Sequence, residues 1–238
     1  SQIMKKLFLV GALALFGAVN AQQTKFGLKA GYALSSINSK VLEEILEDEF
    51  GVNGDNKSKS GFFVGAFVEH KLNEKFALQG EVQYANLGGQ VEAKYDETDG
   101  GENIKFTIQD KMNFNQILIP ISAKYFVTPQ FAFFGGPSIA FNAGYKSDFK
   151  LKDHNIPSEF MGEINDELSD LENTQDEVFE DELKSTNFNI FFGGEYTLYK
   201  ELSLDVRYTV GLTNYIKKPV DNEELKMNYL QIGLGYKF

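Results

Sequence analysis

The chain has no cysteine and no tryptophan in 238 residues, and past residue 21 it has no apolar run close to the 18 residues that a spanning helix needs. The missing cysteines exclude a disulfide framework, a thiol nucleophile, a cysteine-type zinc site and a cysteine-linked lipid anchor. Positive charge is also scarce, with 23 Lys and Arg (Arg207 the only arginine) against 34 Asp and Glu. The resulting net charge of −11 argues against nucleic acid as a partner, because phosphate binding rests on clustered Lys and Arg. No Gly-rich phosphate loop, nucleophile elbow or His-x-x-x-His pair occurs. His70 and His154, the only histidines, are not placed with a serine and an acid on adjoining strands, so no hydrolytic triad is expected.

Residues 1–21 read as an address. Ser1, Gln2 and Ile3 precede Met4, and Lys5 and Lys6 give a positive start. An apolar stretch over 7–18 follows, and small residues Val19 and Ala21 then sit where a signal peptidase cuts. The expectation is a signal peptide over 1–21 and an exported, acidic mature chain over 22–238.

From residue 24 onward apolar residues recur at every second position, the spacing of a strand with two unlike faces. The last segment shows this best: Leu230, Ile232, Leu234, Tyr236 and Phe238 share one face, and Tyr229, Gln231, Gly233, Gly235 and Lys237 the other. Seven further segments, near 26–34, 62–72, 76–84, 117–125, 131–141, 188–198 and 202–212, repeat the pattern. The connections alternate in length. Short ones centre on Asn73 and Glu74, on 128–130 and on Lys200 and Glu201, whereas long ones cover 38–58, 95–103, 145–184 and 217–225. Tight turns at one rim and long loops at the other describe an all-β fold: an eight-stranded antiparallel up-and-down transmembrane β-barrel with short periplasmic turns and long extracellular loops. Pro120 and Pro137 fall inside strands, each removing a ladder donor, and bulges or local irregularity are expected there. A soluble sandwich or lipocalin-like barrel shows the same alternation, so the content of the polar face must discriminate.

In a membrane barrel, charged strand residues must point into the lumen. Counting from the short turns places Lys29, Glu69, Glu81, Lys124, Glu195, Asp205 and Arg207 at one level in the periplasmic half. Four acids and three bases nearly balance, as an internally paired plug requires; charges lining narrow water pockets without pairing are the alternative. Phe63, Phe67, Phe134 and Phe191 share the inward parity, and eight strands enclose just enough room for side chains to fill. No continuous aqueous channel is expected. Arginine should cost more at the lipid-facing Ile232 than at the inward Gln231, if there is room inside.

Two loops carry helical spacing. Ser39 stands where it could cap a helix bearing Val41, Leu42, Ile45 and Leu46, closed by Gly51. Ser158 could cap another with Phe160, Ile164, Leu168 and Leu171 on one side, and Thr174 with Glu177 forms a capping box ahead of Val178, Phe179 and Leu183. Residues 158–183 hold eleven acids and no base, which reads either as a solvated, partly helical extracellular loop or as a contact for a protein or divalent cations. Asp96, Asp99, Gly100 and Glu102 lack the regular ligand spacing of a calcium loop.

The stretches 61–87 (GFFVGAFVEHKLNEKFALQGEVQYANL) and 116–126 (QILIPISAKYF), together with 188–238, which carries Arg-Tyr-x-x-Gly-Leu-Thr-Asn at 207–214 and ends in GLGYKF, resemble the PorT-like outer-membrane barrels of Bacteroidota. The resemblance implies an eight-stranded barrel in the outer membrane of a Gram-negative bacterium. It also implies that Leu234, Tyr236 and Phe238 form the C-terminal signal read by the barrel-assembly machinery, and it opens a role as an accessory of type IX secretion. The expected function is a non-enzymatic barrel without cofactor or metal, held by outer-membrane lipid and meeting partners through its acidic outer loops. A lipid-modifying barrel enzyme and a small-solute pore are the rival readings.

Overall fold

The computed structural model describes residues 23–39 and 54–238. The expected signal peptide over 1–21 and the expected helix bearing Val41, Leu42, Ile45, Leu46 and Gly51 lie outside the described residues. The strands are β1 (Thr24–Ser39), β2 (Gly54–Lys57), β3 (Lys59–Lys71), β4 (Phe76–Asp99), β5 (Glu102–Phe126), β6 (Phe131–Lys152), β7 (Thr186–Tyr199), β8 (Leu202–Gly211) and β9 (Leu225–Lys237). Among the described residues one α-helix, α1 (Met161–Glu182), preceded by a 3-10 turn at Ser158–Phe160, lies between β6 and β7.

Every pairing is antiparallel. The ring runs β1, β3, β4, β5, β6, β7, β8, β9 and returns to β1 through pairs such as Gly31↔Gly233, so eight strands close a cylinder. The short β2 adds to the upper part of β4, Gly54 opposite Ala93, within the stretch expected to be loop.

Alternation explains which face is which. Along β4 Phe76, Leu78, Val82 and Tyr84 are exposed while Ala77, Gln79, Glu81, Gln83 and Ala85 are buried. The same inversion runs round the ring, with Leu28, Val64, Ile121, Phe133, Ile190, Val206 and Leu234 outside. Phe76 to Tyr84 spans nine residues, the length that crosses a bilayer at barrel tilt. Aromatic pairs mark both borders of this belt: Phe76 with Tyr125 and Phe131 with Phe133 near the short turns, Phe62 with Tyr84 at the far side.

Side chains fix the tight turns. Asn73 Oδ1 accepts from the Lys75 and Phe76 amides, and Thr128 Oγ1 from those of Gln130 and Phe131. In the third turn Lys200 takes a positive φ of 49°. Two glycines admit close packing through the wall: a Cβ on Gly233 would stand 2.6 Å from Phe63 Cζ, and one on Gly193 2.8 Å from Arg207 Cβ.

Several expectations are corrected. Residues 95–103 do not form a long loop, since β4 and β5 continue past the membrane as a twisted hairpin, Asp99 opposite Glu102, turning at Gly100 and Gly101 with positive φ. Residues 96–99 and 102–103 are all polar and exposed on both faces, which hides these strand ends from a hydrophobic count. Near Pro120 and Pro137 the expected irregularity is present as a lapse of pairing, between Gly80↔Ile121 and Gln83↔Leu118 and between Pro120↔Ser138 and Ala123↔Gly135, without the change of register a bulge would bring. The register shift falls instead where Asn115 and Gln116 face Gly144 and Asn142, so Ala143 is a bulge. The bulge flips the parity of β6 and turns Tyr145 and Ser147 inward. Helix α1 is one continuous element rather than two. Ser158 makes no side-chain cap, and Thr174 is mid-helix with its hydroxyl donating back to the Asp170 carbonyl.

Candidate functional site

The seven charged residues singled out from the sequence all lie inside the barrel, none more than 5% exposed. The expectation of a single level is corrected, because they divide into two tiers. Strand tilt and stagger displace equal residue counts to unequal heights, which counting from turns ignores. In the tier nearer the short turns Lys124 Nζ lies 2.7 Å from both Glu69 and Glu195. In the second tier Lys29 Nζ lies 2.6 Å from Glu81 and 3.1 Å from Asp205. Arg207 completes that tier, with Nη1 2.7 Å from Glu81 and both Nε and Nη2 donating to Asp205.

The sequence reading missed Lys237. Its ammonium lies 3.1 Å from Glu69 and 3.4 Å from Glu195, so each carboxylate of the first tier touches two lysines. Two signals were available: the inward parity it shares with Gln231, and the shortfall of one base among four acids and three bases. With Lys237 each tier holds two acids and two bases and is neutral. Between the tiers Gln79 and Ser122 are buried without hydrogen bonds of their own.

Aromatic rings pack against the second tier. Lys29 lies 5.1 Å from the centre of Phe67, and Arg207 sits 4.8 and 5.0 Å from Phe134 and Phe191. Gln83 donates to Glu81 and accepts from Gln231 at 2.9 Å. Gln231 is therefore enclosed, so the room on which a smaller cost of arginine there depends is lacking.

A different closure occupies the extracellular half. Phe114 meets Tyr145 and Tyr215 edge-on at 4.9 and 5.7 Å, among buried Leu87, Met112, Leu118, Leu183 and Met227. Helix α1 lies over this cluster and is anchored by one face. Leu168 is buried, Phe179 stacks on Tyr145 at 4.7 Å, and Gln175 donates to Tyr145 and to Asp110. Asp176 accepts from the Ser147 amide and hydroxyl, Glu172 from the Phe149 amide. Lys184 donates its amide to Tyr215, and Leu183 bridges to Ile216, tying the helix end to the last loop.

Asp110 lies seven residues past Ile117, where the lipid-facing belt of β5 ends, and so stands outside the membrane. Burial lifts its carboxyl to about 6; the Gln175 hydrogen bond opposes this, and Asp176, Glu172 and Asp148 add repulsion. The same enclosure keeps the Tyr145 hydroxyl far above its usual range.

At the short-turn rim a recess of about 270 Å³ is lined by Lys25, Lys71, Glu69 and Lys237, the outer edge of the first tier. The C-terminal residues Leu234, Tyr236 and Phe238 face outward, and the Phe238 amide bonds to the Phe26 carbonyl. His70 Nδ1 pairs with Thr24 Oγ1, and His154 accepts from the Ile156 amide within its own loop. Asp96 and Glu102 belong to the β4–β5 hairpin, where Asn103 donates to Asp96. Among the described residues no group of three His, Asp or Glu side chains converges on a metal-sized site.

The family described as outer membrane protein beta-barrel domain matches residues 20–217. Among solved structures the chain is similar to the attachment invasion locus protein Ail of Yersinia pestis, at 12% identity and TM-score 0.41, covering 91% of this chain and 100% of that one. It is likewise similar to Neisserial surface protein A (14%, TM-score 0.40, 90% and 97%) and to OprG of Pseudomonas aeruginosa (15%, TM-score 0.36, 90% and 95%). No curated protein sequence matches the chain. The match over 20–217 and a closed ring with an apolar outer belt make the chain a member of the outer membrane protein beta-barrel domain family, resident in the outer membrane of a Gram-negative bacterium.

Proposed function

We infer that this protein is a non-enzymatic, non-conducting barrel that serves as an anchored platform, presenting the docked acidic helix α1 to partners outside the cell. The observation that carries the reading is closure of the lumen at two heights by different chemistry: two neutral ionic tiers in the periplasmic half, and the Phe114, Tyr145 and Tyr215 cluster beneath α1 in the other. A pore has no use for either. Outer-membrane lipid holds the belt, and the outward Leu234, Tyr236 and Phe238 serve as the signal for the barrel-assembly machinery. Planar-bilayer recording tests the reading. The purified barrel inserts without discrete current steps; stable ohmic steps from the unaltered protein would overturn it.

The likeness of 61–87, 116–126 and 188–238 to PorT-like barrels favours a second reading, an accessory role in type IX secretion. Retention of secreted cargo after deletion, with co-purification of secretion components, supports it; unchanged secretion removes it.

A further inference from the structure

Docking uses one face of α1 and leaves another unused. Leu168, Glu172, Gln175, Asp176 and Phe179 hold the barrel. Roughly a quarter turn round the helix runs a second apolar line, Ile164, Leu171 and Val178, at a spacing of seven residues. Leu171 and Val178 are 51% and 53% exposed, and Phe160 prolongs the line at 50%. Carboxylates border it: Glu163, Glu167, Asp170 and Asp181 are all exposed, the stretch 158–183 contains no base, and Lys217 of the last loop reaches only its C-terminal end, donating to the Asp181 carbonyl. An apolar seam repeating every seventh residue is the contact surface a second helix covers, since 3.6 residues per turn brings those positions back to nearly one side. The charge beside the seam fixes the sign of what can lie on it.

We propose that this flank of α1, centred on Leu171 and Val178, docks a cationic amphipathic helix of a partner protein. The inference rests on the platform reading and names the partner's chemistry. The apolar side of such a helix covers Ile164, Leu171 and Val178, and its lysines or arginines meet the bordering acids. From Ile164 to Val178 the seam is about 21 Å long, enough for about four turns of a partner to seat.

The test uses the full chain in zwitterionic nanodiscs and a fluorescent 18-residue peptide of Leu and Lys with leucines in a seven-residue repeat. A peptide of the same composition with scrambled order, and empty nanodiscs, are the references. Two variants are compared, Leu171→Gln with Val178→Gln, and Glu167→Gln with Asp170→Asn and Asp181→Asn; all five positions are exposed, and folding is checked by faster gel migration before boiling. The proposal expects the repeat peptide to bind the parent at least tenfold more tightly than the scrambled one. It expects each variant to lose about tenfold, the acid-to-amide variant also losing salt dependence. Binding no tighter than to empty nanodiscs overturns it. Equal binding of the two peptides, or of parent and Leu171→Gln/Val178→Gln, also overturns it by leaving only unspecific charge attraction. Current steps in planar bilayers would defeat the platform reading without altering any of these binding results.

Discussion

Replacing Arg207 by methionine removes the residue that ties the second tier together. The guanidinium touches Glu81 and Asp205 with three donors, and both carboxylates are buried. The substitution leaves Lys29 as the sole cation for two carboxylates, taking the tier from neutral to −1. Methionine fills much of the volume between Phe134 and Phe191, so the electrostatic loss dominates. Breaking a buried, hydrogen-bonded ion pair by removing one partner costs about 3–5 kcal/mol, because the other charge stays desolvated. Arg207→Glu should cost more, since the tier then carries −2. Adding Glu81→Leu to Arg207→Met leaves Lys29 facing Asp205, a neutral pair, and should recover a substantial part of the loss. The assay is urea unfolding in lipid vesicles, followed by the fraction that migrates as the compact band before boiling. A midpoint for Arg207→Met equal to that of the parent would refute the reasoning, as would a double variant less stable than the single one.

The first tier gives a parallel expectation: Lys237→Gln strands part of the charge on Glu69 and Glu195 and should lower the same midpoint, whereas Lys25→Gln, whose partner Glu201 is exposed, should change it by less than about 1 kcal/mol. Arginine at Ile232 in the lipid-facing belt should cost about 2–4 kcal/mol near the bilayer middle and less toward a rim, read from the shift in urea midpoint. Asp110 links docking of α1 to pH. Its carboxyl is raised to about 6 in the docked state from about 4 when released, so the docked state binds more protons between those values. Docking is therefore strongest below pH 4, weakens as pH rises to 6 and is level above, by at most about 3 kcal/mol given partial solvent access. Hydrogen exchange over 161–182 should show protection falling across that range in the parent and not in Asp110→Asn; identical profiles would contradict the linkage.

The wall was legible because a two-residue period in apolar side chains is required wherever lipid touches a strand. That requirement covers 76–84 or 230–238 and stops at the membrane surface. Past it, the hairpin end of β4 and β5 at 96–99 and 102–103 is Asp, Glu, Thr and Asn, exposed throughout, which a hydrophobic count reads as loop. The lumen residues were legible from parity, since an ionised side chain on a spanning strand can only point inward, as Lys29, Glu81 and Arg207 do. Their partition into two tiers was not, because it depends on stagger between strands far apart in sequence: Lys124 meets Glu195 across the barrel interior, 71 residues away. The bulge at Ala143 likewise has no signature in residue type, yet it decides that Tyr145 and Ser147 face α1. The helix pattern over 160–171 mixed two faces, one now docked through Leu168 and one exposed through Leu171.

The absence of native cysteine allows a single reporter thiol at each position of β9 in turn. Spin labels at 230–235 in lipid vesicles, scored for collision with membrane-dissolved oxygen and with a water-soluble nickel complex, ask directly which side of the strand meets hydrocarbon. Positions 230, 232 and 234 should respond to oxygen and be shielded from nickel, whereas labels at 231, 233 and 235 should be shielded from both or prevent folding. High oxygen exposure at 231, 233 and 235 with shielding at 230, 232 and 234 would contradict the account.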